Sequence, residues 1–256
     1  MSLFKKVLAS VGIGGAKVDT KLERDTLAPG DIGRGIVEIM GGNLEQSIES
    51  IYLSLNTTYM KESNDKKYSV KACIDSFKIA NAFTIKAGER KEIPFSFRLP
   101  LDTPLTIGRT KIWLATGLDI ANAVDPTDND YIRVVPNSGM SAILTAIEDL
   151  GFRLREAECE QAPKRMRRRL PFVQEFEFVP VSGRYKGRLD ELEVVLLPNA
   201  GGDIEVFMEI DRRARGLAGL LSEVLSTDES NIRFVVSAND MPHIRQQLQS
   251  IIDRYS

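Results

Sequence analysis

Alternation of apolar and polar residues recurs along this 256-residue chain and limits its fold more than any other feature. It is clearest between residues 170 and 202. There Phe176 and Phe178 fall on one face of an extended strand, while Glu175 and Glu177 fall on the other. This two-residue period is expected of a strand with one solvent-exposed face. A glycine-rich turn follows, and then a second alternating run. The stretch predicts strand, turn and strand, with its acidic side chains in solvent.

Similar alternating runs fill the first half of the chain. Roughly seven strands, separated by turns at fairly regular spacing, predict an antiparallel β-sandwich. One run alternates without a break from Ile93 to Leu101 and contains Pro94 and Pro100. Because proline cannot donate a hydrogen bond to a neighbouring strand, we predict that this strand lies at the edge of a sheet.

The clearest domain boundary is the turn sequence PNSG at residues 136–139. After it, apolar residues recur at helical spacing, and Gly151 lies where that helix would end. Strand patterns then resume. The sequence therefore predicts two consecutive β-sandwich domains, at residues 1–136 and 137–256, with a helix at the boundary between them.

Helices are also predicted at both ends of the chain. Asp240 and Pro242 indicate the start of a C-terminal helix, since they suit an N-cap region and an early helical position. A short N-terminal helix is predicted by apolar residues at helical spacing, which are Leu3, Phe4, Val7, Leu8 and Val11. This helix either packs on its own domain or lies at the surface and contacts a membrane or a partner.

One apolar segment interrupts the strands of the second half. Its helical face is formed by Leu217, Leu220, Leu221, Val224 and Leu225. The segment either covers the end of the sandwich or stays exposed and docks a partner. For the second alternative, Leu217, Leu220 and Leu221 are the candidate partner-binding residues.

A basic run at residues 164–169 is the sharpest charge cluster in the chain. Its cations are Lys164, Arg165, Arg167, Arg168 and Arg169. No aromatic residues lie among them, which argues against binding of single-stranded nucleic acid. Two interpretations stay open. The run is a solvated loop that pairs with nearby acids (Glu156, Glu158 and Glu160), or its five cations bind an acidic partner surface.

Composition is that of a globular protein rather than a disordered one, with 43% hydrophobic and 27% charged residues. The net charge is −2, and neither half of the chain is strongly basic, so general nucleic-acid binding is not expected. Two cysteines far apart in sequence, Cys73 and Cys159, do not suggest a disulfide framework. No signal peptide or membrane-spanning run is recognisable, which points to the cytoplasm.

The sequence shows no pattern of residues typical of a catalytic or metal-binding site. His243 is the single histidine and has no nucleophile beside it, and the two cysteines lack the spacing of a metal site. Residues 125–130 (DPTDND) are rich in the oxygen ligands that calcium prefers, but they lack the spacing of an EF-hand and suit a solvated turn better. We therefore predict no catalytic, cofactor-binding or metal-ligating residues.

Several separated segments together resemble the bacterial sporulation-control family of the stage-zero M type, whose architecture is arrestin-like. The segments are residues 1–15, 28–31 (APGD), 170–178 (LPFVQEFEF), 187–193 (GRLDELE) and 211–213 (DRR). The resemblance covers essentially the whole chain. It implies a mainly β fold with two consecutive arrestin-like sandwich domains. It also implies a non-enzymatic, cytoplasmic regulatory or adaptor protein without a cofactor, acting through contacts with other proteins.

Other functions stay open beside this one. A peripheral membrane-associated scaffold would use the N-terminal helix and the basic run, although its membrane contact would be weak. A homodimer also stays open. A small-ligand binder or an enzyme is the least favoured class, and a deep pocket with converging polar groups would be its mark.

Overall fold

The computed structural model describes residues 15–63, 66–120, 126–212 and 229–255. These residues are mainly in β-strands, as predicted. The strands are β1 (Lys17–Leu22), β2 (Thr26–Leu27), β3 (Ile32–Met40), β4 (Gln46–Ser63), β5 (Lys66–Ala80), β6 (Phe83–Ile85), β7 (Arg90–Arg98), β8 (Ile112–Ile120), β9 (Thr127–Val134), β10 (Phe152–Gln161), β11 (Phe172–Pro180), β12 (Leu189–Pro198), β13 (Ile204–Arg212) and β14 (Glu229–Val236). The helices are α1 (Ser138–Asp149) and α2 (Ile244–Tyr255), and short 3-10 turns occur at Gly183–Tyr185 and Met241–His243. The predicted boundary and C-terminal helices are thus present.

The chain divides into two compact units between Val135 and Pro136. Two segments from the first half, Tyr59–Val70 and Pro104–Thr110, group with the second unit. The sequence ranges 1–136 and 137–256 do not separate these segments, because alternation marks strands but not the unit against which each strand packs. The long strand β4 explains the first of them, since its last five residues belong to the second unit.

The first unit has two facing layers of strands. One is the antiparallel sheet β1-β3-β7, and the other contains β4, β8 and β9, with β5 and β6 paired to β4. The rings of Phe77 and Phe97 lie 5.1 Å apart between the layers, and the Thr20 and Thr116 hydroxyls share a buried hydrogen bond. Among the described strands, β7 pairs with β3 alone and places Pro94 opposite Ile36, which confirms the predicted edge strand.

The second unit contains the antiparallel series β14-β13-β12-β11-β10. Its inner face is apolar and buried, with Phe176 and Phe178 each 1% exposed. Helix α1 contacts β10 and α2, and its first turn approaches Ile204 of β13. The layer opposite this sheet therefore includes helices. Alternation in the sequence predicts that one face of a strand is buried, but it does not predict what covers that face.

Local chemistry sets both ends of α1. The Asn137 side chain accepts a hydrogen bond from the Met140 backbone N–H at 2.9 Å, which caps the first turn. Gly151 follows the last turn with φ of +96°, a conformation that favours glycine. Helix α2 is tied to the 3-10 turn before β12 because the Tyr185 hydroxyl donates to Asp253 at 2.9 Å.

Candidate functional site

The basic run lies on a loop that folds back over the outer face of the second unit's sheet. We call residues 162–170, which form all but the last residue of the connection between β10 and β11, the strap. The backbone N–H groups of Met166 and Arg167 both donate to the Pro163 carbonyl, at 2.9 and 3.0 Å. Met166 is only 8% exposed and packs in a cluster with Ala162, Val173 and Val195. The strap is therefore an ordered covering of the sheet.

Two arginines of the strap face the sheet. Arg168 forms an ion pair with Glu205, a buried carboxylate that also pairs with Arg233. Arg165 donates to the Asn231 side-chain oxygen and lies 3.7 Å from a carboxylate oxygen of Glu209. These contacts join the strap to β13 and β14, which are distant from it in sequence.

The strap's other cations are exposed. Lys164 and Arg167 make no ion pair with any residue in the described ranges, and Arg169 is exposed but interacts within the chain. Burial of Met166 between them fixes the backbone from which these side chains project. Of the five candidate partner-binding cations, Arg165 and Arg168 thus bind the sheet, and Lys164 and Arg167 face solvent. Arg169 is exposed and also interacts within the chain.

The acids nearest the strap in sequence have other partners. Glu160 accepts from Lys67 at 2.7 Å, and Glu156 lies 3.7 Å from Arg109. Of the two interpretations that the sequence left open, pairing of the basic run with these acids does not hold for Arg165 and Arg168. Glu205 and Glu209 take that role, and sequence reasoning missed both, because only the pairing of β11 with β12 and of β12 with β13 brings them under the strap.

Acidic side chains dominate the face beneath the strap. Glu177, Glu193 and Glu209 lie directly opposite one another on β11, β12 and β13. Glu175 lies on the same face, beside Glu158 of β10. Like charges facing each other across strands are destabilising. Burial is the main cause that raises the pKa of Glu175 to about 7, and repulsion from Glu160, Glu193 and Glu209 adds to it.

A pocket of about 370 Å³ lies beside the strap on this face. Met166, Val195 and Phe207 give it an apolar floor, and carboxylates and arginines surround them. Its size falls within the range of small-ligand sites. The sequence offered no signal for this pocket, since its walls come from four strands and the strap.

A buried polar network lies on the opposite face of the same sheet. The Gln174 amide accepts from the Leu105 N–H at 2.7 Å and donates to the Leu105 carbonyl at 2.8 Å and to the Thr110 hydroxyl at 3.2 Å. Thr110 also lies 3.9 Å from the Cys159 sulfur. Burial raises the pKa of this thiol to about 12, so Cys159 stays protonated near neutral pH.

The acidic segment at residues 125–130 is not a turn over its described part. Asp128 and Asp130 lie on strand β9, and Asp128 accepts from the Thr20 backbone N–H at 2.8 Å. Burial and the neighbouring Asp128 raise the pKa of Asp130 to about 6. Within the described ranges, no group of three or more potential ligand side chains could hold a metal ion.

The remaining sequence predictions fall elsewhere. Leu217, Leu220, Leu221 and the N-terminal helix lie outside the described residues. His243 is exposed at the end of the second 3-10 turn. Among the helices of the described chain, none combines the length and the hydropathy needed to cross a membrane.

Comparison with known proteins identifies the family. Residues 4–214 match the family model described as SpoOM protein. The chain is 46% identical over 259 positions to the sporulation-control protein spo0M of Bacillus subtilis (strain 168), and the match covers all of both chains. It also resembles the crystal structure of Spo0M from Bacillus subtilis, with a TM-score of 0.86, 44% identity, and coverage of 95% of this chain and all of the other. The chain belongs to the Spo0M family of sporulation-control proteins.

Proposed function

We propose that this chain is a non-enzymatic cytoplasmic regulator that acts through protein contacts, and that the strap binds an acidic surface of its partner. Membership of a sporulation-control family supports a regulatory role. The observation that carries the partner contact is the exposure of Lys164 and Arg167 on an ordered strap.

The strap can present these cations without first being ordered. A flexible basic loop would lose conformational entropy on binding, which weakens association. Here the buried Met166 side chain and the ion pair of Arg168 with Glu205 already fix the backbone. Lys164 and Arg167 can then engage carboxylates of a partner while Arg165 and Arg168 keep their contacts with the sheet.

The chemistry of the described side chains supports a role without catalysis. The protonated Cys159 thiol is a poor nucleophile, and its contact is the Thr110 hydroxyl rather than a base. The exposed His243 lies on a different element from either cysteine. A regulator of this kind would depend on its surface charges and not on a reacting group.

Charge reversal tests the proposal. Full-length protein is used to capture partners from extract of the source cells, in three forms: unchanged, Lys164→Glu with Arg167→Glu, and Lys78→Glu with Lys86→Glu. The last pair gives the same charge change at exposed lysines of the first unit. We call Lys164→Glu with Arg167→Glu the strap variant, and we expect it to lose proteins that the other two forms retain. Added salt should release those proteins from the unchanged chain.

Two results would count against the proposal. Equal capture by all three forms would show that the strap does not contact the partner. Salt-sensitive sedimentation of the unchanged protein with vesicles containing phosphatidylglycerol, abolished by the strap variant, would instead favour the membrane-associated scaffold.

A further inference from the structure

A polar cleft of about 390 Å³ lies beside the start of the strap. Its lining residues come from two segments of the second unit, which are residues 60–62 with Lys67, and residues 160–164. The first segment belongs to the ends of strands β4 and β5, which pair with each other. We call residues 59–63 and 66–70 the β4–β5 end. The cleft therefore has the β4–β5 end on one side, and the end of β10 with the start of the strap on the other.

Contacts within the second unit hold the β4–β5 end in place. The Tyr59 ring stacks on the Phe172 ring of β11, with the ring centroids 5.3 Å apart. Met60 pairs with Glu160 of β10, and the Lys67 ammonium donates to a carboxylate oxygen of Glu160 at 2.7 Å. The strap on the other side is itself ordered. A ligand would therefore meet two fixed walls and would not have to order them on binding.

Cations outnumber carboxylates among the residues that line the cleft. The lysines are Lys61, Lys67 and Lys164, and the glutamates are Glu62 and Glu160. Lys67 and Glu160 neutralise each other in their ion pair. Among the described residues, no hydrogen bond or ion pair engages the side chains of Lys61 and Lys164. Only Glu62 remains to offset these two lysines, so the cleft attracts anionic groups.

The two unpaired lysines reach the cleft from different walls. Lys61 lies on the β4–β5 end, and Lys164 lies on the strap. Successive side chains of an extended peptide point to opposite sides, so neighbouring carboxylates of an acidic segment can meet both lysines at once. Arg167 is exposed three residues further along the strap and can bind a carboxylate beyond the cleft. None of the described lining residues is aromatic, so the cleft offers no stacking surface for nucleobases.

We propose that the partner of this chain carries an extended acidic segment, which the cleft receives with Lys61 and Lys164 binding its carboxylates. This inference rests on the proposed partner contact of the strap, and it names the part of the partner that is bound. It also adds Lys61 of β4 to the interaction surface. A flat acidic surface would contact the strap but would not enter the cleft.

Fluorescence anisotropy of a labelled, C-terminally amidated octaglutamate peptide tests the proposal on the full chain. The salt concentration is about 100 mM, where charges further apart than about 10 Å are largely screened. The reference ligand carries eight carboxylates on one compact branched core, so it has the same charge but cannot extend along the cleft. We expect saturable binding of one peptide per chain, and at least about fivefold weaker affinity for the branched ligand. Equal affinities would overturn the proposal, as would the absence of saturation.

Matched variants locate the peptide. Lys61→Glu should weaken peptide binding about tenfold, because it replaces an attraction inside the cleft by a repulsion. Lys66→Glu makes the same charge change at an exposed lysine of the β4–β5 end that does not line the cleft, and it should weaken binding less than about threefold. Equal losses in the two variants would contradict the assignment. Circular dichroism of each variant confirms that it is folded before its affinity is compared.

Partner capture separates this inference from the proposed function. Lys61→Glu should lose the proteins that the strap variant loses, whereas Lys66→Glu should retain them. If the strap variant loses these proteins and Lys61→Glu retains them, the strap contact stands and the cleft is overturned. If neither variant loses them, the strap contact and the cleft are both overturned. Loss in Lys61→Glu alone would overturn the strap contact, and with it a cleft that uses Lys164.

Discussion

Replacing Glu175 by glutamine should stabilise the second unit at neutral and alkaline pH. The side chain is largely buried among carboxylates, and its pKa rises from 4.5 to about 7. This rise in pKa means that ionising Glu175 lowers the free energy of unfolding by roughly 3 kcal/mol. Because the side chain is partly accessible to solvent, we expect the glutamine variant to gain about 1–2 kcal/mol in free energy of unfolding. Glutamine resembles the protonated acid in shape and removes the charge.

The gain should depend on pH in a definite direction. Below pH 4.5 the carboxyl group is protonated in both folded and unfolded chains, so the substitution changes little by this route. Between pH 4.5 and 7 the unfolded chain ionises first, which favours unfolding of the unchanged protein. Above pH 7 Glu175 is ionised in both the folded and the unfolded chain, so the full cost of its buried charge lowers the stability of the unchanged protein. The stability difference between variant and unchanged protein should therefore grow from pH 4.5 to 7 and then level off.

The assay must follow the second unit. The single tryptophan, Trp113, lies in the first unit, so its fluorescence does not report on Glu175. Urea unfolding can instead be followed by hydrogen exchange of peptides from β11 and β12 at several pH values. Glu158→Gln, on the same face, is the control and should show no growing gain. A pH-independent effect of Glu175→Gln, or a loss that deepens above pH 7, would refute the reasoning.

Two further substitutions test the packing of the second unit. Gly151→Ala should destabilise it by at least about 1 kcal/mol more than Gly187→Ala. Both residues have positive φ, but only at Gly151 would a Cβ lie 2.5 Å from the Ser182 carbonyl oxygen. Similar urea midpoints for the two variants would contradict this. Gln174→Met should cost about 2–4 kcal/mol, because the buried N–H and carbonyl of Leu105 lose their partner. An unchanged exchange rate at the Leu105 amide would show that the hydrogen bond is not made.

The regular elements could be predicted because their signals are local. Alternation at Phe176 and Phe178 indicates a strand with one buried face, and both side chains are buried. Gly151 indicates the end of α1 because its positive φ favours glycine, and the helix does end there. Pro94 indicates an edge strand because its missing N–H excludes pairing on both sides.

The site could not be predicted in the same way, because it depends on pairing between distant strands. The sequence shows the basic run and its nearest acids, but Glu205 meets Arg168 only after β12 and β13 have joined the sheet. Met166 looks like one apolar residue in a charged loop, and nothing local indicates that it packs on Val195. The acidic face was expected to be solvated, and the strap covers part of it.

The proposed partner contact depends on the strap lying on the sheet with Met166 buried. Oxidation of the folded full-length chain by dilute hydrogen peroxide, followed by mass spectrometry, measures this directly. Met40 is the internal reference, since it is 48% exposed whereas Met166 is 8% exposed. With rates normalised to those in the urea-unfolded chain, Met166 should oxidise several-fold more slowly than Met40. Equal rates, or faster oxidation of Met166, would contradict the account.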